Sequence, residues 1–336
     1  MKKYNSTFYM SLAPKTKNFL KEKLPQECEA TIHLDPLNEE NLKNETEILG
    51  IFTDSEVNEQ IFSKLPDLKL ITTLATGYDN VDLEQAKKRG IPVCNVPEYG
   101  NDTVSEYTIG LMISLMRKIP KAKESVDKGN YSYRGLRGIE LHNKTVGVIG
   151  TGKIGEKIIE KLSNFGVKFL GFDPYQKDYL SDKFDFEYCE KKKLLKNSDI
   201  ITLHCPLLEE TKYTIDKEEF DLMKDSAYLV NTARGALIRS KALLQALQDN
   251  KIAGVALDVI EEENILSHPK ELYQENFNSE EIESTLYSEL IIDHPKSIVT
   301  PHIAFNSKEA VKRIISTTAE NIDKFLQGET QNNVLQ

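Results

Sequence analysis

The stretch "VGVIGTGKIG", residues 146–155, constrains the fold of this chain more than any other. It begins as a continuous apolar run, and three glycines follow at the spacing G-x-G-x-x-G, namely Gly150, Gly152 and Gly155. Beyond them, apolar residues recur at a helical period, at positions 154, 158, 159, 162 and 165. The pattern therefore predicts a strand, a tight turn and a helix, which is the basic unit of an α/β fold.

A turn of this kind suits a dinucleotide. Glycines let the backbone approach a pyrophosphate closely, and the N-terminus of the next helix attracts phosphates. The following predicted strand, "VKFLGFD", ends at Asp173, 18 residues after Gly155. A carboxylate there would accept hydrogen bonds from ribose hydroxyls and repel a 2′-phosphate, so we predict NAD rather than NADP. A glycine turn without a ligand is the alternative, and the agreement of strand, turn and acidic residue disfavours it.

Short apolar runs alternate with helix-period segments along the chain, as in parallel sheets covered by helices. The runs before residue 145 are "TFYMSL", "ATIHL", "EILGIFT", "LKLITTLA" and "IPVCNVP". The pattern then restarts with "TVGVIG", "VKFLGFD", "DIITLHCP", "AYLVNTA", "AGVALDV" and "SIVTPH". A length of 336 residues and this restart predict two α/β domains.

Composition excludes several classes of protein. A net charge of -10 argues against a nucleic-acid partner. The four cysteines lie far apart without a CxxC pair, which predicts no metal site and reduced thiols in the cytoplasm. The N-terminus has no adequate apolar core for a signal peptide. The apolar stretch 107–116 is too short to span a bilayer, so it predicts a buried helix, suited to a subunit contact. The acidic residues 261–290 predict a surface loop with a short helix.

Three further fragments each follow a predicted strand: "NTARG" (231–235), "ALDVIEEE" (256–263) and "TPHIAF" (300–305). Ligands of doubly wound sheets bind at the carboxyl ends of the strands, which places Arg234, Glu263 and His302 on one rim. A guanidinium can hold a carboxylate in two-pronged fashion. A histidine exchanges protons near neutral pH, and a neighbouring carboxylate stabilises its charged form. Three adjacent glutamates are, however, usually a solvated face.

Taken together, the chain resembles the D-isomer-specific 2-hydroxyacid dehydrogenases, and the long acidic segment resembles their D-lactate dehydrogenase branch. The resemblance covers nearly the whole chain. It rests on the fragments above together with "LATGYDNVDL" (74–83), "NVPEYG" (95–100), "SEYTIGLM" (105–112) and "LHCP" (203–206). It implies two doubly wound parallel-sheet domains. A Rossmann cofactor domain, 101–301, is inserted into a flavodoxin-like substrate domain formed by 1–100 and 302–336. A homodimer is also implied.

The resemblance also implies site residues. Arg234, Glu263 and His302 match the catalytic positions, and the spacing of five residues from Asp258 selects Glu263 among the three glutamates. Further matching positions would contact substrate, namely Thr76, Gly77, Tyr99, Arg234 and Phe305. Those matching the cofactor site are Gly150, Gly152, Lys153, Ile154, Gly155, Asp173, Cys205, Pro206, Thr211, Thr232, Ala233 and Asp258. No metal is implied. Cys205 as a nucleophile is rejected, because relatives commonly carry valine there.

The implied function is NAD-dependent interconversion of small D-2-hydroxy acids and 2-keto acids, with D-lactate and pyruvate first. In the implied mechanism Arg234 holds the carboxylate, and His302 exchanges the proton with support from Glu263. A dehydrogenase for a bulkier 2-hydroxy acid is one alternative. The other is an NAD-sensing binding protein that resembles corepressors on the same fold. Those proteins can retain the same three residues, so turnover has to separate the classes.

Overall fold

The computed structural model describes residues 2–38, 40–267 and 279–335. The strands are β1 Tyr4–Tyr9, β2 Cys28–His33, β3 Ile48–Ile51, β4 Leu70–Thr73, β5 Val93–Cys94, β6 Thr145–Ile149, β7 Lys168–Phe172, β8 Phe186–Tyr188, β9 Ile200–Leu203, β10 Tyr228–Asn231, β11 Gly254–Leu257 and β12 Ser297–Val299. The helices are α1 Pro14–Lys23, α2 Glu59–Lys64, α3 Leu83–Lys88, α4 Asn101–Met116, α5 Ile119–Asp127, α6 Lys153–Leu162, α7 Tyr179–Lys183, α8 Lys191–Asn197, α9 Lys217–Leu222, α10 Ser240–Gln248, α11 Glu263–Ser267, α12 Ser279–Ile292 and α13 Lys308–Leu326.

The chain divides into two compact units, one formed by residues 1–99 with 306–336 and the other by 100–305. Residues 302–305, which we expected in the first unit, lie in the second. The reason is that the backbone N–H groups of His302, Ile303 and Ala304 all donate to Asp258 of the second unit.

The first unit has a parallel sheet with strand order β2-β1-β3-β4-β5, which is the flavodoxin-like order. Its central strands are apolar runs buried on both faces, as in β3 and β4, where every residue is buried. The long C-terminal helix α13 packs against α1 and β4. The sheet is thus covered by helices, and the predicted flavodoxin-like architecture is confirmed.

The second unit has a parallel sheet with strand order β12-β11-β10-β9-β6-β7-β8, the Rossmann order extended by one strand at the β11 edge. Strand order reverses between β6 and β9, so the glycine turn after β6 lies at the switch point where such sheets bind ligands. Apolar clusters cover both faces of the sheet. The predicted apolar helix forms part of α4, which buries Leu111, Met112, Leu115 and Met116.

The acidic segment differs from its prediction. It contains α12, a 14-residue helix, rather than mostly surface loop. Glutamate is a good helix former, and the buried residues of α12 include Thr285, Ser288 and Ile291, spaced three apart. Two of these are small and polar, so the hydrophobic pattern of the sequence did not indicate a buried helix face. Part of the predicted loop, 268–278, lies outside the described residues. Among the described residues, no helix combines the length and apolarity required to cross a bilayer.

Candidate active site

The shape of the glycine turn depends on the absence of Cβ atoms at its glycines. Gly150 has a φ of +91°, and a Cβ there would overlap the backbone of Cys205 and His204. A Cβ on Gly155 would overlap the carbonyl oxygen of Gly150. At Gly152, by contrast, an added Cβ would meet nothing within 4 Å. The first and third glycines therefore let chain segments pack together, while the second leaves open space beside the turn.

Helix α6 begins at Lys153, directly after this open space, and no side chain caps it. An uncapped helix N-terminus with a glycine before it suits an anionic phosphate. Ile154 packs against the apolar cluster on this face of the sheet. Of these two predicted cofactor residues, Lys153 thus starts the helix, and Ile154 anchors it.

Asp173 directly follows β7 and lies beside the glycine turn. One carboxylate oxygen accepts the Thr151 N–H at 2.6 Å, and the other accepts the Tyr175 N–H at 2.8 Å. The nearby base Lys177 pairs with Glu156, with 2.8 Å between Nζ and Oε2. The rim therefore presents an oriented carboxylate, and the charge of the nearby Lys177 is balanced by Glu156. This arrangement suits a ribose diol better than a 2′-phosphate, so the residues present fit NAD.

The loop after β9 carries three predicted cofactor residues. Thr211 is turned into the loop, where its hydroxyl donates to the Pro206 carbonyl and accepts the Leu208 N–H. Burial raises the pKa of the Cys205 thiol to about 11, so the thiol stays protonated near neutral pH. Desolvation lowers the pKa of His204 to about 3. Neither side chain is therefore suited to exchange protons, which agrees with rejecting Cys205 as a nucleophile.

The turn after β10 positions Arg234. Asn231, the last residue of the strand, accepts the Ala233 N–H and donates to the Arg234 carbonyl. The Thr232 hydroxyl is buried against that of Thr108 at 2.8 Å. An Nη1 of Arg234 donates to the Ala233 carbonyl at 2.8 Å. The sequence analysis missed Asn231, although a polar residue ending a buried strand is a signal that could have found it.

His302 and Glu263 form a pair, with 2.7 Å between Nδ1 and Oε1. Burial lowers the pKa of His302, but the hydrogen bond and charge of Glu263 outweigh it, and the pKa is raised above its ordinary value. Arg234 lies near enough for its charge to oppose that rise. The structure thus brings all three predicted catalytic residues together. It also pairs His302 with Glu263 rather than with either neighbouring glutamate.

Asp258 holds the turn that carries His302. Its two carboxylate oxygens accept the Thr300 hydroxyl at 2.6 Å, the Ile303 N–H at 3.0 Å and the Ala304 N–H at 2.7 Å. Its side chain is buried, and this burial raises its pKa despite the three hydrogen bonds. His302 itself has a left-handed φ of +50°, which a histidine adopts only when neighbouring contacts enforce it. The predicted cofactor residue Asp258 therefore also organises the turn.

The remaining predicted substrate residues divide between the units. In the second unit, the ring of Phe305 lies edge-on to that of His302, 6.4 Å away. In the first, Thr76 and Gly77 follow β4, and the Thr76 hydroxyl donates to the Val96 carbonyl. The Tyr99 carbonyl accepts from the Arg313 side chain. Over the described residues, no group of three or more His, Cys, Asp and Glu could hold a metal ion.

Comparison with known proteins agrees with this geometry. The family model for the D-isomer specific 2-hydroxyacid dehydrogenase NAD binding domain matches residues 109–304. An aromatic 2-oxoacid reductase of Clostridium sporogenes is 39% identical over 84% of both chains. The D-lactate dehydrogenase of Escherichia coli is 36% identical over 87% of both. A crystal structure of Aquifex aeolicus D-lactate dehydrogenase with NAD and lactic acid aligns with a TM-score of 0.86 and 32% identity, over 96% of both chains.

An NAD-binding Rossmann unit with this rim of side chains defines an NAD-dependent oxidoreductase. The chain belongs to the D-isomer specific 2-hydroxyacid dehydrogenase family. Its cofactor is NAD.

Proposed function

We propose that the chain reduces 2-keto acids to D-2-hydroxy acids with NADH, and that pyruvate is its substrate and D-lactate its product. The observation that carries the proposal is the 2.7 Å pair of His302 and Glu263 near the guanidinium of Arg234. A proton donor and a carboxylate clamp are what reduction of a 2-keto acid requires. The choice of pyruvate is supported by the similarity to two D-lactate dehydrogenases.

The site residues have separate roles in the proposed reaction. Arg234 holds the substrate carboxylate, because a guanidinium matches two carboxylate oxygens. We also assign the backbone N–H groups of Thr76 and Gly77 to the substrate carboxylate, on the resemblance of the segment 74–83 to the family. Bound NADH supplies the hydride to the keto carbon.

His302 supplies the proton. Its Nδ1 faces Glu263, which leaves Nε2 as the atom that protonates the substrate oxygen. Glu263 keeps His302 protonated to a higher pH by raising its pKa. In the reverse direction, neutral His302 takes the proton from the hydroxyl group.

For the cofactor, we assign Gly152, Lys153 and the start of α6 to the pyrophosphate, and Asp173 to the ribose hydroxyls. Gly150 and Gly155 shape the turn. The residues assigned to the rest of the cofactor surface, through backbone or side chain, are Ile154, Cys205, Pro206, Thr211, Thr232, Ala233 and Asp258. For the substrate side chain, we assign Tyr99 and Phe305 as limits of the pocket.

An aromatic 2-keto acid is the second candidate substrate. It is favoured by the 39% identity to an aromatic 2-oxoacid reductase. Phe305, which is partly exposed beside His302, offers an aromatic ring that could stack on such a substrate.

A panel of 2-keto acids tests the proposal. Pyruvate, a branched 2-keto acid and phenylpyruvate are offered with NADH, and the hydroxy-acid product is resolved by chirality. We expect D-products and the highest kcat/KM for pyruvate. A higher kcat/KM for phenylpyruvate would select the aromatic candidate. NADH binding without turnover of any keto acid would defeat the proposal and favour a cofactor-sensing protein.

The cytoplasmic location and the homodimer predicted from the sequence also remain proposals. The location is supported by the cysteines, since Cys28, Cys94, Cys189 and Cys205 are all free thiols, as expected in a reducing compartment. The dimer is supported by the apolar composition of α4.

A further inference from the structure

The segment that carries Glu263 contains an unfavourable backbone conformation. Strand β11 ends at Leu257, α11 begins at Glu263, and Glu262 between them has a left-handed φ of +56°. A residue other than glycine in that region costs on the order of 1 kcal/mol and persists only when its surroundings hold it. We call residues 261–263 the glutamate turn.

The side chain of Glu261 makes the first contact that stabilises this turn. Glu261 is buried, with 4% of its surface exposed. Its Oε2 accepts the N–H of Ser240, the first residue of α10, at 2.5 Å. The preceding residue, Arg239, provides no side-chain cap for that helix. The Glu261 carboxylate therefore supplies the acceptor and the negative charge that favour a helix N-terminus.

Tyr213 is a second partner of Glu261. Burial, together with the nearby Glu261 carboxylate, raises the pKa of Tyr213 to about 12. The guanidinium of Arg239 lies over the Tyr213 ring, 3.7 Å from its centroid, and also bonds to Asp216. The buried Glu261 carboxylate therefore lies near the Tyr213 phenol and the positive charge of Arg239, which partly balances its negative charge.

The backbone of Glu261 is held as well. Ser288, buried on α12, donates its hydroxyl to the Glu261 carbonyl at 3.1 Å, and its oxygen lies 3.3 Å from the Ser240 hydroxyl. On the other side, the backbone of Gly235 packs so closely that a Cβ there would overlap the Ile260 carbonyl. Because Gly235 follows Arg234, the turns that carry two of the site residues touch through their backbones.

We propose that Glu261 is a positioning residue for the Glu263–His302 pair, and that α12 of the acidic segment shares this role through Ser288. The proposal rests on the proposed function. Its physical basis is that a displaced glutamate turn lengthens the 2.7 Å hydrogen bond between Glu263 and His302, and a hydrogen bond weakens steeply with distance and misalignment. Helix α12 thereby gains a function that its sequence did not reveal.

The contribution of Glu263 to His302 provides the readout. The charged groups that face His302 are Glu263, Arg234 and Asp258. A variant at Glu261 leaves all three in the chain, and Glu263, two residues away on the same turn, is the one we expect it to displace most. If that position matters, His302 loses its proton at a lower pH. A purely structural contact would lower the melting temperature and leave the pH profile of the active fraction unchanged.

The test is keto-acid reduction with NADH as a function of pH, in the full-length protein. Glu261→Ala removes both side-chain contacts, and we expect kcat to fall by about tenfold. The alkaline limb of the profile moves to lower pH, and the Kd for NADH, from fluorescence titration, is unchanged. Glu261→Gln keeps an acceptor for the Ser240 N–H and should retain most of the wild-type kcat. Glu289→Ala, on the exposed face of α12, is the matched control and should change neither kcat nor the position of the alkaline limb.

Milder variants cover the case in which Glu261→Ala does not fold. Ser288→Ala and Tyr213→Phe each remove one hydroxyl, and each shifts the alkaline limb in the same direction by less. Wild-type kcat and pH profile in every folded variant would overturn the proposal, whatever their melting temperatures. A wild-type protein that reduces no 2-keto acid would instead defeat the proposed function.

Discussion

The turn after β6 and the turn after β12 both follow parallel strands of one sheet, yet they are built by opposite means. The β6 turn obtains its shape from missing side chains, because Gly150 and Gly155 admit backbone atoms that a Cβ would displace. The β12 turn is shaped by a buried side chain, Asp258, which lies more than forty residues earlier and accepts three hydrogen bonds from it. The first turn leaves open space beside Gly152, whereas the second fixes the position of His302.

The comparison predicts that substitutions in the two turns affect different quantities: kcat for the β12 turn and NADH affinity for the β6 turn. His302→Ala removes the proposed proton donor and leaves the glycine turn intact, so kcat should fall by roughly 10²–10⁴-fold. The Kd for NADH, measured by fluorescence titration, should stay within about twofold, a change worth less than ~0.5 kcal/mol. A variant that kept its kcat but lost NADH affinity would reverse the roles assigned to the two turns.

Alanine at the glycines probes the other turn. Gly155→Ala places a Cβ against the Gly150 carbonyl, so it should lower the free energy of unfolding by about 1–3 kcal/mol and NADH affinity by about tenfold or more. At Gly152 the added Cβ meets no protein atom. Gly152→Ala should therefore retain stability and lose NADH affinity alone. Wild-type affinity in Gly152→Ala would show that the pyrophosphate does not lie beside this glycine.

The β12 turn should be sensitive to its distant carboxylate. Asp258→Asn replaces one acceptor oxygen with an amide donor, and three donors then face a single oxygen. We expect the free energy of unfolding, from denaturant titration, to fall by about 1–3 kcal/mol, with a smaller loss of kcat than in His302→Ala. Asp225→Asn, on an exposed aspartate, is the control. Equal denaturation midpoints for both variants would mean that Asp258 does not hold the turn.

The same contrast explains what the sequence could predict. The glycine turn depends on residues within ten positions of one another, so its spacing alone indicated strand, turn and helix. Arg234 and His302 were also recognisable as candidate site residues, because each closely follows an apolar run of the sequence. The three hydrogen bonds by which Asp258 holds the β12 turn could not be predicted, since the donors are one hydroxyl and two backbone N–H groups more than forty residues away in the sequence.

Strand β8, and the length of helix α12 where only a short helix was expected, escaped prediction for related reasons. Strand β8, Phe186–Tyr188, has only three residues, which is too short for periodicity to identify. Helix α12 has a buried face that includes small polar residues such as Ser288, and its acidic composition suggested a loop. The contacts of Ser288 and Glu261 become apparent only once α10 and α12 are packed together.

The pairing of His302 with Glu263 is central to the proposed reaction. In that reaction, reduction needs protonated His302, whose pKa is raised in the wild type by Glu263. Activity is therefore complete below that pKa and is lost as pH rises through it. Glu263→Gln removes the charge, and burial then lowers the pKa.

The decisive measurement is the pH profile of keto-acid reduction in Glu263→Gln and Glu262→Gln beside the wild type. We predict that Glu263→Gln keeps activity at low pH and moves the alkaline limb down by about one pH unit, while Glu262→Gln follows the wild type. An alkaline limb that moves in Glu262→Gln instead, or in neither variant, would contradict the assignment of Glu263 as the partner of the proton donor.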